Sequence, residues 1–387
     1  MFRQDRDQWR ETYEAELHGS VLPFWLTHSL DRDDGGYITC LDRQGSSYST
    51  DKSILLIARC VLLYSRLINR VRREGSWCEA AEIGVRFLLR HLAETLDRPY
   101  LLVTKTGKPL ERFPFSVEAY VTASLAEYAA AADDREALAT SRRVRKRLLD
   151  LYGAEIEPDR SDEVQRRGRA LLPPLLLLGT CQVLRDLDPA AVAQRAVDAA
   201  VEDLLTSFLD RQSGLLCEYA LPAGGARIGP AGRMVIPGHG IHVAGLLLQE
   251  SRRRPELLDG ALRLLEASLE NSWDAEYGGL IHVVDLEERP SLHLDWDMKL
   301  WWVHTEALFA TLLAGRLTET RLFERWHERI HEYAFAHYPD ADYGGWLGYL
   351  HRDGTPITTA KGSHWKSAYH EAMALWQCIA VLSEEEA

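Results

Sequence analysis

The hydrophobic positions of the chain recur mainly at the spacing of an α-helix. Apolar residues stand at i, i+3, i+4 and i+7 through most segments between turns, so each such segment is predicted to be a helix with a buried face. The helices come in pairs, which indicates a repeated helical hairpin. The predicted helices span residues 53–71, 79–96, 116–132, 135–151, 171–186, 190–210, 240–252, 256–272, 298–314, 322–337 and 367–383.

Four turns that begin with aspartate and contain glycine recur between the helices. A short alternating apolar run follows each glycine, and glycine accepts the positive φ that a tight turn needs, so a small hairpin is predicted at each turn. The last three turns lie roughly 65 residues apart, and about six units of this length fit the chain. The aspartates are Asp31, Asp210, Asp274 and Asp340, and Asp97 opens a weaker candidate.

The number of repeats predicts the architecture. Two helices per unit and about six units indicate an all-α fold, an (α/α)6 barrel with short β-hairpins in the loops at one end. We expect a single domain over residues 1–387. An open solenoid of helical pairs would show the same periodicity, so closure of the ring is inferred from the count. Residues 153–169, dense in charge, and 222–237, dense in glycine and proline, are predicted to be surface loops.

Charge and composition exclude several kinds of partner. A formal net charge of -13 argues against a nucleic-acid or anionic-membrane surface, because either would need a basic footprint. The six cysteines include no C-x-x-C pair, which argues against a zinc knuckle or disulfide framework and favours a reducing compartment. The sequence contains no apolar run of signal-peptide or membrane-spanning type, so a cytoplasmic protein without membrane contact is expected.

The stretch 295–306 combines bulky aromatic residues with ionisable ones. It is predicted to lie on a helix, with Trp302 one turn from Glu306 on the same face. Burying Lys299 or Glu306 in an apolar core would be costly unless each were paired or used. An aromatic wall beside a carboxylate suits a sugar, so Lys299, Trp302 and Glu306 are predicted to line a wet, concave site.

Two histidines, His239 and His242, stand where a Pro-Gly loop enters a helix. Such a junction at the rim of a barrel faces the cavity, which makes His239 the first candidate for a catalytic base. Two alternatives stay open: His239 could cap the helix, or the two imidazoles could share a metal ion. No carboxylate follows at zinc-protease spacing, so no metal is predicted.

A second glycine loop enters a helix near the end of the chain, where Trp365, Lys366 and His370 are close in sequence. An aromatic ring, a cation and an imidazole together predict a further part of the binding site, with His370 on the first turn of the helix. Arg59 stands in the middle of an apolar predicted helix. A guanidinium in that position needs a protein partner or a ligand oxygen.

These motifs, in their order and spacing, resemble the N-acylglucosamine 2-epimerase family. The wider superfamily includes cellobiose 2-epimerases and mannose or sulfoquinovose aldose-ketose isomerases. The resemblance covers most of the chain and implies an (α/α)6 barrel, no redox cofactor, and a homodimer. The stretches that carry it are 24–45, Arg59, Pro237-Gly238-His239, 296–307, 343–349 and 361–370.

The resemblance also implies a role for each matching residue. It implies that His239 and His370 exchange protons with the substrate. It implies that Arg59 and Glu306 contact the substrate, and that Trp302 and Trp365 line the sugar site.

The chain departs from the family pattern at two places. The family usually has a glutamate at the position of His242, and a histidine there alters the local charge beside His239. A proline and an arginine usually follow the final histidine, whereas Glu371 follows His370 here. The sequence has no histidine between His91 and His239. That absence favours the acylglucosamine branch over the cellobiose epimerases and the aldose-ketose isomerases, which use a histidine from a middle helix.

The predicted reaction is inversion of C2 in a reducing sugar of the N-acylglucosamine/N-acylmannosamine type. The C2 proton is α to the aldehyde of the open-chain sugar, and two imidazoles on opposite faces of a planar enediolate can remove it and return it. The charge on O1 and O2 needs donors already in place, a role for Arg59. Return of the proton to C1 would instead make an aldose-ketose isomerase acting on mannose, glucose or fructose. Nucleotide activation is left open.

Two other classes are alternatives to this prediction. An inverting glycoside hydrolase needs two carboxylates about 6.5–9.5 Å apart, which Glu306 with Asp297 or Glu118 could supply. A non-catalytic sugar-binding protein would use the tryptophans and exchange no protons, and the histidine at position 242 is compatible with it.

Overall fold

The chain folds into helices joined by turns and very short strands. The structure, a computed structural model, describes residues 2–113, 115–156, 168–188, 194–220, 229–318 and 320–384. The α-helices of these residues are Phe2–Glu16, Leu22–His28, Ile54–Arg70, Gly75–Thr95, Ser116–Ala132, Arg135–Ile156, Leu172–Leu187, Gln194–Asp203, Gly229–Arg233, Pro237–Ser251, Leu258–Ser272, Trp301–Thr318, Arg321–His337 and Tyr369–Ser383. π-helical turns occupy Leu17–Val21 and Leu204–Phe208, and a 3-10 turn occupies Pro255–Leu257.

The strands are two or three residues long and belong to hairpins and small ladders. They are Lys52–Ser53, Leu102–Val103, Pro109–Glu111, Arg169–Ala170, Tyr219–Ala220, Met234–Val235, Val284–Asp285, Lys299–Leu300 and Tyr349–Leu350. The first three form one antiparallel sheet in that order. Val235 pairs with Val284, and Lys299 pairs with Leu350, in two further antiparallel ladders.

The chain divides into two compact units. The Arg59 unit consists of residues Phe24–Asp203 and Ala360–Tyr369, and the His239 unit consists of Met1–Pro23, Leu204–Thr359 and His370–Ala387. Each unit is assembled from segments that are distant in sequence. A single domain over residues 1–387 therefore stays a prediction.

In the Arg59 unit, buried helices alternate with half-exposed ones. Ser116–Ala132, buried along nearly its whole length, packs against Ile54–Arg70 and Leu172–Leu187, which are also largely buried. Gly75–Thr95 and Arg135–Ile156 pack on the outer side of these helices. The alternation follows from sequence, because the buried helices are apolar around most of their circumference and the others carry one apolar face.

The His239 unit repeats this arrangement. Pro237–Ser251 packs against Trp301–Thr318, and both are apolar and largely buried. Leu258–Ser272 covers the first of them and Arg321–His337 covers the second, each with alternating buried and exposed positions. The paired-helix repeat predicted from the sequence is thus present within each unit.

The four Asp-led turns form as predicted. In each, an isolated β-bridge closes a small hairpin around the turn, and the glycines have φ between 66° and 83°. The aspartate side chain accepts hydrogen bonds from backbone N–H groups two or three residues later, which fixes the turn locally. Asp97 differs from these, because its carboxylate accepts from Arg143 instead.

Two of the turns each bind a buried lysine of their own, a contact that the turn motif does not reveal. Lys52 Nζ donates to Asp31 at 2.8 Å, and to the carbonyls of Gly35 and Lys105. Lys299 Nζ donates to Asp274 at 3.1 Å and to the Gly278 and Arg352 carbonyls. Both lysine side chains are fully buried. Each buried ammonium therefore stabilises one turn by binding its aspartate and backbone carbonyls.

Each of the eleven predicted helices has a counterpart, with residues 190–193 outside the described part. One boundary matters for the site. The predicted helix 298–314 begins at Trp301, because Lys299–Leu300 pair as a strand with Tyr349–Leu350. The helices Phe2–Glu16 and Leu22–His28 were not predicted.

The two predicted loops are only partly described. Residues 157–167 and 221–228 lie outside the described part of the chain. Residues 229–235 were predicted as loop but form the short helix Gly229–Arg233 and the strand Met234–Val235. Residues 153–156 were also predicted as loop but are the last residues of the helix Arg135–Ile156. Over the described ranges, no helix is long and apolar enough to cross a membrane.

Candidate active site

His239 lies in the first turn of the helix Pro237–Ser251, with Pro237 at its start. Its ring nitrogen Nδ1 is 3.0 Å and 3.1 Å from the two carboxylate oxygens of Glu218. A carboxylate only accepts hydrogen bonds, so Nδ1 carries the proton and donates it. The residue before the helix, Ile236, makes no side-chain cap, and the His239 ring is committed to Glu218. The helix-capping alternative is therefore wrong.

Glu218 is a candidate site residue that the sequence motifs do not reveal. It lies beside the strand Tyr219–Ala220, is buried, and also accepts a hydrogen bond from the Ile236 backbone N–H at 3.3 Å. Its partner His239 is 21 residues away in sequence. No local spacing links the two, so only the folded hairpin reveals the pair.

Glu306 brings two further histidines together. Its Oε1 is 3.1 Å from His370 Nδ1, and its Oε2 is 3.8 Å from His242 Nδ1. His370 occupies the first turn of the helix Tyr369–Ser383, as predicted. His239 and His242 therefore face different carboxylates. Among the described residues, no group of three or more His, Cys, Asp or Glu side chains is arranged to hold a metal ion.

The indole of Trp302 contacts both candidate catalytic imidazoles. Its ring centroid is 5.4 Å from that of His239 and 6.2 Å from that of His370. The close approach depends on Gly238, since a Cβ there would lie 2.6 Å from the Trp302 ring. Trp301 contacts the other side of the site, with its ring edge-on to His370 at 6.2 Å.

His282 is a second residue that the sequence analysis missed. Its ring meets Trp302 edge-on at 6.4 Å, and its Nε2 lies 3.6 Å from Asp295. Burial lowers the pKa of His282 to about 4, although the Asp295 carboxylate opposes that shift. His282 is therefore neutral at physiological pH and adds a polar wall to the Trp302 side of the site.

In the Arg59 unit, Arg59 is held by aromatic rings. Its guanidinium lies 4.4 Å from the Tyr120 ring centroid and 5.7 Å from that of Tyr369. Its buried Nε has no hydrogen-bond partner among the described residues. A buried N–H without an acceptor is costly, and a ligand oxygen is one acceptor that would satisfy it.

Trp365, in the same unit, is half exposed and meets Phe113 edge-on at 6.3 Å. Phe113 is itself 40% exposed. Together they form an open aromatic surface of the kind that stacks on sugar rings.

Two predicted binding residues are not available to a ligand. Lys299 is fully buried, and its three donors are used by Asp274, Gly278 and Arg352. The Lys366 side chain is also fully buried, with its ammonium 5.5 Å from the Trp25 ring centroid. Their burial argues against the prediction that these lysines bind substrate, which stays a prediction.

Two of the three carboxylates named for the hydrolase alternative have protein partners. Glu118 is buried, accepts from the Phe115 N–H at 2.8 Å, and pairs with Arg147 at 3.0 Å. Asp297 lines a surface groove beside Met298 and Arg352. Glu306 instead faces the imidazoles of His370 and His242.

A predominantly helical fold that holds two carboxylate-bound imidazoles against one indole defines a candidate acid–base enzyme. The N-acylglucosamine 2-epimerase family model matches residues 36–374. The chain is 29% identical to N-acylglucosamine 2-epimerase from Bos taurus, over 97% of this chain and 91% of that protein. It is 28% identical to the Homo sapiens enzyme of the same name, over 98% and 93%.

The fold is shared with a solved structure. The cellobiose 2-epimerase from Spirochaeta thermophila DSM 6192 superposes with a TM-score of 0.83 and 21% identity, covering 99% of this chain and 98% of that one. The chain belongs to the N-acylglucosamine 2-epimerase family. It is an enzyme of the isomerase class and a sugar epimerase in type.

Proposed function

We propose that the protein interconverts C2 epimers of a reducing sugar of the N-acylglucosamine/N-acylmannosamine type. His239 and His370 are the proposed bases. The observation that carries the proposal is that each imidazole has Nδ1 on a carboxylate while both rings contact Trp302. Two bases beside one aromatic surface suit a substrate that stacks on that surface and loses or gains a proton at one carbon.

The carboxylates determine which ring nitrogen reacts. With the proton of each neutral ring on Nδ1, Nε2 is the nitrogen that takes the C2 proton from the open-chain sugar. Glu218 and Glu306 stabilise the imidazolium that results, as a buried carboxylate does for other catalytic histidines. The proton leaves C2 to one imidazole, an enediolate forms, and the other imidazole returns a proton to the opposite face.

The remaining proposed roles concern binding. Arg59 is proposed to bind a substrate oxygen, because its buried Nε has no partner among the described residues. Trp302 and Trp365 are proposed to stack on the sugar, and the exposure of Trp365 leaves its ring open to a ligand. His242 is proposed to belong to the binding site through its contact with Glu306.

The architecture is proposed in the same terms. Alternating buried and outer helices within each unit support an (α/α)6 barrel formed by the whole chain as a single domain. A homodimer and a cytoplasmic location remain predictions. Sedimentation of the purified chain measures the first, and fractionation of the source cells measures the second.

The experiment is incubation with N-acetylmannosamine, N-acetylglucosamine, mannose, glucose, fructose and cellobiose in deuterated water. C2 of each sugar is followed by NMR. The proposal expects epimerisation of an N-acylated aldose with deuterium entering at C2. Exchange into a ketose at C1 would assign aldose-ketose isomerisation instead. Folded protein that exchanges no proton in any sugar would contradict the proposal.

The histidines provide the second arm of the test. His239→Asn and His370→Asn should each reduce epimerisation by about 1,000-fold or more, because each removes a base from a two-base reaction. Full epimerisation by either variant would exclude the two-histidine mechanism.

A further inference from the structure

The two proposed bases are supported in different ways. Glu218 is buried and holds His239 with both oxygens, and a backbone N–H from Ile236 also fixes its Oε1. Glu306 lies on the helix Trp301–Thr318, is more exposed, and offers only Oε1 to His370. Its Oε2 faces His242, whose Nδ1 is 3.8 Å away.

Three side chains thus form a chain of contacts from one helix to the next. His242 is on the helix Pro237–Ser251, one turn after His239. The 3.8 Å separation is an ion-pair distance, longer than a direct hydrogen bond. Both side chains are about one-fifth exposed.

We propose that His242 is a positioning residue for one half of the reaction. Its imidazole holds the second oxygen of Glu306, so that the first oxygen keeps Nδ1 of His370 in place. His242 therefore fixes the Glu306 carboxylate, as the hydrogen bond from the Ile236 N–H fixes the Glu218 carboxylate. This inference rests on the proposed function, because it needs His370 to exchange a proton with the sugar.

The proposal makes the two half-reactions unequally sensitive to position 242. In a two-base epimerase each base removes the C2 proton of only one epimer. Loosening Glu306 tilts or frees the His370 ring and slows that base, while the His239 ring keeps both oxygens of Glu218. A general loss of packing would slow both half-reactions together.

The experiment measures initial deuterium entry at C2, in deuterated water, separately for N-acetylglucosamine and N-acetylmannosamine. His370→Asn and His239→Asn first show which epimer each base serves. His242→Ala should then slow exchange of the epimer served by His370 by roughly tenfold and change the other by less than about twofold. The effect should appear in kcat with little change in KM.

Two variants separate positioning from folding. His242→Asn places an amide N–H near the position of Nδ1 and should restore most of the lost rate. His351→Ala, at an exposed histidine of the same unit, should leave both exchange rates unchanged. Thermal unfolding of each variant checks that the fold is kept.

Several outcomes would overturn the inference. These are equal slowing of both epimers by His242→Ala, no slowing of either, or slowing of the His239 epimer alone. A failure of the proposed function is distinguishable, because it appears as retained epimerisation in His239→Asn or His370→Asn before position 242 is tested.

Discussion

At the scale of single residues, the carboxylates are what turn two histidines into a candidate acid–base pair. An imidazole alone can present either nitrogen to a substrate. Glu218 and Glu306 remove that ambiguity, since a carboxylate accepts from Nδ1 and leaves the reaction to Nε2. The proposed chemistry depends on these acceptors as much as on the rings.

Replacing Glu218 by glutamine tests this dependence. Glu218→Gln keeps the size of the side chain but removes its charge, so the imidazolium of His239 loses its counter-ion. We expect kcat to fall about 100-fold with KM changed less than about threefold. Steady-state kinetics with the sugar identified in the exchange experiment measures both. The exposed Glu270→Gln is the matched control, and an unchanged kcat in Glu218→Gln would contradict the proposed role.

Replacing Lys299 tests whether this residue stabilises the Asp274 turn or binds substrate. Lys299→Met leaves Asp274 with fewer partners in a buried position. We expect a loss of about 3 kcal/mol in unfolding free energy and an unchanged KM. Urea unfolding and steady-state kinetics provide the two measurements.

Lys52→Met gives a matched comparison, because Lys52 holds Asp31 in the same way in the other unit. Both variants should lose stability to a similar degree. An increased KM in Lys299→Met without lost stability would instead support the prediction that Lys299 binds substrate.

At the scale of elements, a glycine determines how closely two helices approach at the site. Gly238 lies in the first turn of its helix, where a Cβ would meet Trp302 at 2.6 Å and Val303 at 2.9 Å. Gly260, in the first turn of Leu258–Ser272, has nothing within 4 Å of such a Cβ. The two positions are therefore a matched pair that differ in space and share helical conformation.

Gly238→Ala should displace Trp302 from His239. We expect a loss of about 10- to 100-fold in kcat/KM, together with a lower Tm, because the indole and the imidazole move apart. Gly260→Ala should keep full activity and gain up to about 1 kcal/mol from helix propensity. Activity that survives Gly238→Ala would show that the contact between Trp302 and His239 is dispensable.

The elements that could be predicted are those that depend on local sequence. Asp274 forms its turn with backbone groups two and three residues away, so the motif suffices. The start of the Trp302 helix could not be predicted in this way. It depends on Lys299 pairing with Leu350, 51 residues later, and this pairing overrides the helical pattern of residues 298–300.

At the scale of the whole molecule, the candidate site residues that could be predicted are again those that depend on local sequence. His239, His370, Trp302 and Glu306 could be predicted as candidates because each stands in a distinctive local motif. Glu218 was missed because its hydrogen bond to His239 exists only after the hairpin and the helix have folded. Arg59 was predicted from its chemistry, as a lone cation in an apolar helix, and its Nε has no hydrogen-bond partner among the described residues.

Buried histidines make the stability of the fold depend on pH. Burial lowers the pKa of His304 and His327 to about 3, and that of His91, His282 and His331 to about 4. In the unfolded chain each titrates near pH 6.5. Between these values the unfolded state binds more protons than the folded state, so folding free energy is lost as pH falls from about 6.5 towards 4.

Each histidine that titrates in this way contributes about 1.4 kcal/mol of lost stability per pH unit within that window. Urea unfolding at pH 7.5, 6 and 5, followed by tryptophan fluorescence, should show stability that is constant above about pH 7 and falls steeply below it.

His327 donates to the Leu308 carbonyl and bonds the Tyr13 hydroxyl at 2.8 Å. His327→Gln should therefore lower the unfolding free energy at every pH. It should also reduce the dependence of the unfolding free energy on pH by about 1.4 kcal/mol per pH unit, the contribution of one histidine. The exposed His351→Gln should leave the slope unchanged, and equal slopes in all three proteins would show that His327 already binds its proton in the folded state.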